Sequence, residues 1–202
     1  MRNLIIALAT TALFTGTAHA EGTRIEVHGA YDNVRQPILG PNDEKSFSGI
    51  DYGIGIGYDY SINDKVFIGV EANVDDSNAD NVNCPARSAP FTRICVKLGR
   101  DLNANVRLGT AIGDGKTKIY ALVGYSNLRF KFQSEGGDAI PAPPAPPSTI
   151  SSISANADGI RAGVGLERNF GSRAYGKIEY RYSNYEGGFT RNQGLVGVGI
   201  RF

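Results

Sequence analysis

Short stretches of the chain alternate apolar residues with glycine or polar residues, which is the two-residue period of a β-strand. In the clearest stretch, residues 50–60, Ile and Tyr occupy one face while Asp and Gly occupy the other. Residues 160–167 and 196–202 repeat this pattern. After residue 20, no stretch has the ~20 predominantly apolar residues of a membrane-spanning helix. The pattern therefore predicts an all-β protein.

The chain contains eight stretches of this kind. They cover residues 23–32, 48–60, 65–75, 93–109, 117–132, 155–169, 174–185 and 191–202. The connections at 61–64, 111–116 and 170–173 are short, and those at 33–47, 76–92, 133–154 and 186–190 are mostly longer. Outer-membrane barrels have short turns at one end and longer loops at the other. We therefore predict an eight-stranded antiparallel up-and-down transmembrane β-barrel.

The composition of the two strand faces favours a membrane barrel over a soluble one. A soluble barrel buries its apolar face, and glycine on a face that lines the core would leave that core badly packed. A narrow membrane barrel instead has a polar interior and an apolar outer wall. Aromatic residues at the strand ends would then form the interfacial girdles, and we assign Tyr31, Tyr58, Tyr60 and Tyr185 to them.

Charged residues on the polar faces predict an ion-pair network inside the barrel. Buried charges must be paired, because one left alone costs several kcal/mol. We expect the following residues to plug the lumen: Glu26, Asp51, Glu71, Arg107, Arg161, Glu167, Lys177, Glu179, Arg181 and Arg201. The same faces carry glycine at positions 53, 55, 57, 163, 165, 197 and 199, where water-filled pockets could remain.

Residues 1–20 have the three parts of a secretory signal peptide. Arg2 gives a basic start, residues 4–14 form an apolar run, and residues 18–20 have the small-x-small form of a cleavage site. We predict cleavage between Ala20 and Glu21, which leaves residues 21–202 as the barrel domain. Cys84 and Cys95 would then fold in an oxidising compartment, where a disulfide is favoured over a metal site.

The end of the chain carries a second targeting pattern. Val196, Val198, Ile200 and Phe202 stand at two-residue steps, and a final strand ending in Phe resembles the signal recognised by the barrel assembly machinery. Further strand motifs occur in order at residues 106–109, 119–125, 163–167, 177–182 and 197–202. With them, the chain resembles the eight-stranded outer-membrane β-barrel family of Gram-negative bacteria, which includes opacity-type surface proteins and small porin-family proteins.

This resemblance implies a monomer in the bacterial outer membrane. Its implied partners are outer-membrane lipids and lipopolysaccharide, the assembly machinery during biogenesis, and a host or surface ligand at the loops. The Cys84–Cys95 pair and the proline-rich stretch at 141–147 depart from the family pattern. Proline cannot donate to a sheet ladder, so residues 141–147 form a loop, either a recognition segment or a stiff solvated connection.

Few residues suggest catalysis, a cofactor or a nucleic-acid partner. The chain has 21 Lys and Arg against 20 Asp and Glu, which argues against nucleic acid. His28 lies by parity on the polar face with Glu26, and no G-x-S-x-G motif accompanies it, so we predict a lumenal residue and no enzyme. The acidic stretch with Asp75, Asp76 and Asp80 lacks the glycine and glutamate of an EF-hand. It is either a solvated loop or a loose divalent-cation site, and we predict no cofactor and no defined metal site.

Two functional classes remain. The first is a structural or surface-interaction protein that serves envelope integrity, adhesion or host contact through its loops. The second is a small porin or solute channel. The interior of an eight-stranded barrel is just wide enough for side chains, which favours the first class. A barrel enzyme acting through His28 is a third and weaker hypothesis.

Overall fold

The computed structural model describes residues 22–37, 44–79, 93–135 and 150–202, and these form a closed antiparallel barrel of eight strands. Each strand pairs with the next one along the chain, and the last strand pairs with the first. The strands are β1 (Gly22–Pro37), β2 (Glu44–Ser61), β3 (Val66–Ser77), β4 (Arg93–Ile112), β5 (Thr117–Glu135), β6 (Ile150–Phe170), β7 (Ala174–Tyr185) and β8 (Thr190–Arg201). The predicted all-β architecture is confirmed.

The two ends of the barrel differ. Residues 62–65, 113–116 and 171–173 connect strands at one end, which we call the turn end. The opposite end, called the loop end, carries the connections at 38–43, 78–92, 136–149 and 186–189. Gly113, Gly115 and Gly171 lie in the turns with φ between 61° and 77°, which glycine adopts without the steric cost of a Cβ.

All eight predicted strands are present, and several extend further toward the loop end than the sequence pattern suggested. The connection predicted at 133–154 shrinks to 136–149, because β5 and β6 stay paired as far as Glu135 and Ile150. The added part of β6, residues 150–154, consists of three serines with Ile150 and Ile153, which lie three positions apart, so the two-residue alternation is lost there. Backbone hydrogen bonding between neighbouring strands needs no such alternation and continues.

The outer wall of the barrel is apolar. Alternate side chains point away from the lumen, and those of Ile54, Val123 and Val164 are more than half exposed on the isolated chain. Tyr31, Tyr58 and Tyr60 also point outward, as predicted. Tyr185 does not: it is 3% exposed and faces the lumen, because it shares the parity of Arg181 and Ser183 on β7. Its assignment to an aromatic girdle is therefore wrong.

Large side chains occupy the space beside the lumenal glycines. A Cβ on Gly57 would lie 2.7 Å from Arg24 Nη2, and one on Gly165 would lie 2.8 Å from Tyr120 Cε2. Gly199 is covered in the same way by the ring of Tyr175. At these positions the expected water-filled pockets are wrong, because glycine on one strand makes room for a long or aromatic side chain from another.

An apolar cluster lies inside the barrel at the loop end, and we call it the apolar cap. It is formed by Val34, Phe47, Ala79, Leu98, Leu128, Phe130, Ala157 and Tyr185, with Phe189 packed against it. The rings of Phe130 and Phe189 lie 4.8 Å apart between centroids. The cap places a packed apolar group between the polar lumen and the loop end.

Several predictions lie outside the described residues. These are the signal peptide at 1–20 with its cleavage site at Ala20 and Glu21, together with Asp80, Cys84 and the proline-rich stretch at 141–147. The side chain of Cys95 is also outside the description, although its backbone belongs to β4. The disulfide and the cleavage site stay predictions. In the described part of the chain, no helix is long and apolar enough to cross a membrane.

Candidate functional site

The barrel lumen contains most of the charged side chains that the strands carry. All residues predicted for the ion-pair network point into the lumen. All of them are buried except Arg201, whose side chain is 10% exposed. They occur in three groups along the barrel axis, each joined by ion pairs between strands that are distant in sequence.

The group nearest the turn end is the turn-end cluster: Asp59, Arg107, Glu167 and Arg201. Arg24 connects it to the next group along the barrel axis, since its guanidinium lies 3.5 Å from Asp59, 2.6 Å from Glu71 and 3.0 Å from Glu26. Arg107 donates from Nε to Asp59 Oδ1 at 2.9 Å and from Nη1 to Glu167 Oε2 at 3.2 Å. Arg201 also donates to both carboxylates. The Arg107 guanidinium lies 4.8 Å from the centroid of the Tyr120 ring, a cation–π distance. This cluster spans the lumen from β2 to β6.

The central cluster contains Glu26, Glu71, Lys177, Glu179 and Arg181. Lys177 Nζ donates to Glu26 Oε1 at 2.5 Å, and Arg181 pairs with Glu179. Tyr175 and Tyr120 donate their hydroxyls to Glu26 and Glu179 at 2.9 and 2.6 Å. The same two oxygens also accept from cations, Glu26 Oε2 from Arg24 Nη1 at 3.0 Å and Glu179 Oε2 from Lys177 Nζ at 3.5 Å, so the hydroxyls add a second donor to each buried carboxylate oxygen.

An asparagine row connects the central cluster to the residues above it. Asn105 donates to Glu71 Oε1 at 3.0 Å, and Asn73 donates to Asn103 Oδ1 at 2.8 Å. Asn103 in turn donates to Asp75 Oδ2 at 2.8 Å. An amide both donates and accepts, so this row continues a hydrogen-bonded path between carboxylates without adding charge.

The loop-end cluster contains Asp32, Asp51, Asp101, Arg161 and Arg191. Arg191 binds all three carboxylates: Asp32 through Nε at 3.0 Å, Asp51 through Nη2 at 2.6 Å and Asp101 through Nη1 at 2.7 Å. Arg161 donates to the same Asp101 at 2.5 Å. One guanidinium therefore ties together β1, β2 and β4 just below the apolar cap.

Part of this network was not predicted from the sequence: Arg24, Asp32, Asp59, Asp75, Asp101 and Arg191. Five of them carried a usable signal, because each shares the parity of a predicted lumenal residue on its own strand: Arg24 and Asp32 with Glu26 on β1, Asp59 with Asp51 on β2, Asp75 with Glu71 on β3 and Asp101 with Arg107 on β4. Arg191 stands at the start of β8, where the alternation is too short to fix its face. Its pairing with three carboxylates depends on the closed barrel alone.

The acidic stretch does not form one cation site. Asp75 is 1% exposed and faces the lumen, whereas its neighbour Asp76 is exposed on the outer wall. Side chains on opposite faces of a strand cannot ligate the same ion, so the hypothesis of joint binding by these two residues is wrong. His28 lies on the lumen side with Glu26, as parity predicts, and its Nε2 is hydrogen-bonded to Asp75 Oδ1 at 2.8 Å.

The residues of the predicted assembly signal share the outer face of β8 and its C-terminal end. Val196, Val198, Ile200 and Phe202 are between 47% and 64% exposed. They form a continuous apolar row beside the outward residues of β1 and β7. Their role in assembly stays a prediction.

Comparison with known proteins gives a consistent result for the fold. A family model described as the outer membrane protein beta-barrel domain matches residues 5–202. The structure of Ail, the attachment invasion locus protein of Yersinia pestis, has 15% identity and a TM-score of 0.56, covering 90% of this chain and 99% of Ail. Neisserial surface protein A has 17% identity and a TM-score of 0.56, with 90% and 97% coverage. At such identities the likeness shows the fold alone. No curated protein sequence matches the chain.

Proposed function

This chain belongs to the outer membrane protein beta-barrel domain family, and from that premise we propose that it is a closed, non-conducting surface protein of the Gram-negative outer membrane. Its role is structural or interactive, and serves envelope integrity, adhesion or host contact through the loop end. The alternative is a small porin or solute channel. The two differ in whether the lumen conducts.

The observation that carries this proposal is the filling of the lumen. Three charged clusters bridge strands across the barrel, and the apolar cap packs above the last of them. An eight-stranded barrel has room for side chains but not for an aqueous channel as well. Conduction would require several buried ion pairs to open together, and a buried charge that loses its partner costs about 3–5 kcal/mol.

Planar-bilayer conductance tests the proposal. The purified protein, refolded in detergent and shown to be folded by heat-modifiable gel migration, should give no stable conductance steps. A matched sample of the Leu128→Ala variant, which opens the apolar cap without touching a charge, should stay silent because the charged clusters lie below it. Stable unitary steps from the unmodified protein would overturn the proposal and favour the channel.

The outer wall offers a surface for a partner, which we call the outer basic patch. It consists of Lys97 and Arg100 on β4 with Arg129 and Lys131 on β5, all exposed near the loop end. Lys97 and Lys131 are directly opposite each other across the two strands. The register shift between Leu98 and Asp101 adds one residue to β4 and accompanies the outward position of Arg100.

These four cations form no ion pair with a described acidic residue. Like charges directly opposite on a sheet are destabilising, so the patch favours an anionic ligand. The apolar outward row of β5, from Ile119 to Tyr125, ends two outward positions before Arg129, with only Asn127 between them. The patch is therefore at the height of lipid headgroups on the side of the longer, extracellular loops. We propose that it binds the phosphate groups of lipopolysaccharide.

Binding of lipopolysaccharide to the refolded protein tests this partner. The double variant Arg129→Gln/Lys131→Gln should bind at least about tenfold more weakly, since charge-assisted contacts to phosphate are lost. The control variant Lys116→Gln/Arg173→Gln removes two exposed cations at the turn end and should bind normally. Sucrose octasulfate, the heparin analogue present in one structure of Ail, serves as a soluble polyanionic competitor. Equal binding of dephosphorylated lipopolysaccharide would contradict the proposal.

We expect no catalysis by His28. Its imidazole is closed to solvent in the lumen and contacts carboxylates, Asp75 at 2.8 Å and Glu26 at 3.5 Å. A hydrolase would need a nucleophile beside the base and access for the substrate. A lipid-hydrolysis assay that compares the unmodified protein with His28→Ala checks this: activity that disappears in the variant would establish an enzyme.

We also propose that residues 1–20 are removed on export and that Cys84 and Cys95 form a disulfide. Intact-mass measurement of the protein isolated from outer membranes tests both parts. The expected mass is that of residues 21–202, with alkylation of two thiols only after reduction. Alkylation without prior reduction would contradict the disulfide, and an uncleaved mass would contradict the processing.

A further inference from the structure

Three buried side chains in the half of the lumen nearer the loop end bring metal-binding atoms together. His28, Asp51 and Asp75 come from the adjacent strands β1, β2 and β3, and one ligand atom of each lies within 4.8 Å of the other two. Their exposures are 6%, 0% and 1%. The strand register explains the approach: Gly53 pairs with His28 on one side and with Asp75 on the other.

Glycine at position 53 makes this approach possible. A Cβ there would lie 2.8 Å from His28 Nε2 and would also clash with Asp75 Oδ1. Any larger residue would therefore push the imidazole and the carboxylate apart. Because Gly53 has no side chain, His28 and Asp75 occupy the space above its backbone.

Unpaired polar atoms give independent evidence that the group is incomplete. Among the described residues, Asp51 Oδ1 has no hydrogen-bond partner, and His28 Nδ1 has only Glu26 Oε1 nearby at 3.5 Å, which is too long for a strong hydrogen bond. Arg191 holds the other oxygen of Asp51 at 2.6 Å, and Asn103 holds Asp75 Oδ2 at 2.8 Å. Most buried polar atoms in proteins are hydrogen-bonded, and each exception calls for an unplaced partner or a function. A cation can bind Asp51 Oδ1 without displacing a hydrogen bond there.

The local charge also favours a further cation. The carboxylates in this part of the lumen are Asp32, Asp51, Asp75 and Asp101, and the guanidinium groups that face them are Arg161, Arg181 and Arg191. Arg181 is paired mainly with Glu179 in the central cluster, so four carboxylates here face two closely paired guanidinium groups, and the two charges of a divalent cation match that difference. Arg181 is the more distant partner, with Nη1 3.9 Å from Asp75 Oδ2.

We propose that His28, Asp51 and Asp75 bind one divalent transition-metal ion, with Zn²⁺ as the ion that best fits one imidazole and two carboxylates. In a tetrahedral zinc site with bonds of ~2.0 Å, the ligand atoms are about 3.3 Å apart. His28 Nε2 and Asp75 Oδ1 are 2.8 Å apart, so they need to separate only slightly for the ion to replace the proton between them. Water completes the coordination. The ion ties β1, β2 and β3 together.

Zinc retention by the refolded protein tests the site. The untagged chain is refolded in detergent with and without Zn²⁺, because the ion must enter before the lumen closes, and is then desalted and analysed by elemental mass spectrometry. The expected result is one ion per chain for the unmodified protein and for Asp76→Asn, which alters the outward neighbour of Asp75. Asp51→Asn keeps the side-chain shape and should lower zinc affinity at least about tenfold.

Two controls keep the outcome interpretable. Heat-modifiable gel migration shows whether each variant has folded, and refolding with Co²⁺ gives visible absorption bands that report imidazole and carboxylate coordination. Zinc held by Cys84 or Cys95 would be unaffected by Asp51→Asn. The proposal is wrong if the folded, unmodified protein retains no ion, or if Asp51→Asn retains as much zinc as Asp76→Asn.

Discussion

The outer wall and the lumen are built from the same strands but follow opposite rules. Val106 points outward and is 45% exposed on the isolated chain, whereas the next residue, Arg107, points inward and is fully buried. In lipid, an apolar side chain needs no particular partner, since the hydrocarbon chains satisfy any of them equally well. Arg107 instead requires two carboxylates from β2 and β6 at fixed positions.

This difference shows which part of the molecule is specific. On the outer wall, a side chain needs to be apolar but does not need a particular shape. Ile, Val, Leu and Tyr can therefore replace one another there at modest cost. In the lumen, each side chain is matched to named partners, and even the glycines are matched to the ring or guanidinium that covers them. Substitutions should therefore be tolerated on one face and not on the other, and the four below test this.

The largest effect should come from Arg107→Ala. Removing this guanidinium leaves Asp59 and Glu167 short of a buried partner and removes the cation–π contact with Tyr120. We expect a loss of about 3–5 kcal/mol in the free energy of unfolding, measured by urea titration in lipid vesicles. The matched variant Val106→Ala, one residue away on the lipid face, should lose much less. Equal losses would contradict the comparison.

Val123→Arg should have the next largest effect. The outward residues of β5 from Ile119 to Tyr125 are apolar, and Val123 lies within that row. A charge placed there faces lipid without a partner, which costs about 2–4 kcal/mol near the bilayer midplane. The same urea titration measures it, with Val123→Leu as the control that keeps the surface apolar. No loss in the arginine variant would mean that this wall is not in contact with lipid.

Gly165→Ala should have an intermediate effect. The added methyl group would collide with the Tyr120 ring and disturb its hydrogen bond to Glu179. Overpacking of this kind typically costs about 1–3 kcal/mol. Gly194→Ala is the control, because a Cβ there meets nothing within 4 Å. If both variants unfold at the same urea concentration, the lumenal glycines are not needed for close packing.

The smallest effect should come from Arg168→Ala. Arg168 and Asp114 are about half exposed at the turn end, with Nη2 and Oδ2 3.9 Å apart. Water and salt screen such a pair, so we expect a change below about 1 kcal/mol. Comparison with Arg107→Ala then separates the effect of burial from that of losing an arginine. A loss as large as that of Arg107→Ala would show that position, not burial, decides the cost.

Much of the fold could be predicted from the sequence because its signal is local. Alternation over residues 50–60 identifies β2 and its two faces, and the short turns fix which strands are neighbours. The ends of β5 and β6 were missed because the added residues do not alternate: those of β5 are all polar, and those of β6 are three serines with two isoleucines three positions apart. Pairing continues there through the backbone, which leaves no trace in the pattern of side chains.

The candidate site could be predicted only in part. Parity correctly placed His28 in the lumen, but nothing in the sequence indicates that Asp75 lies 2.8 Å from its imidazole. The two residues are 47 positions apart, and their meeting depends on the register of β1, β2 and β3. Tyr185 was misassigned for a different reason: its parity with Arg181 indicates the lumen, but the assignment followed its position at a strand end, which does not show which side of the wall a residue faces.

The sequence by itself determined the strands, the polarity of their two faces and hence the barrel and its membrane environment, because these follow from a two-residue period. Only the tertiary structure decided the partners in the lumen. Arg191 meets Asp32, Asp51 and Asp101 across 159, 140 and 90 residues. Those contacts depend on barrel closure and strand register, which bring distant residues to the same height.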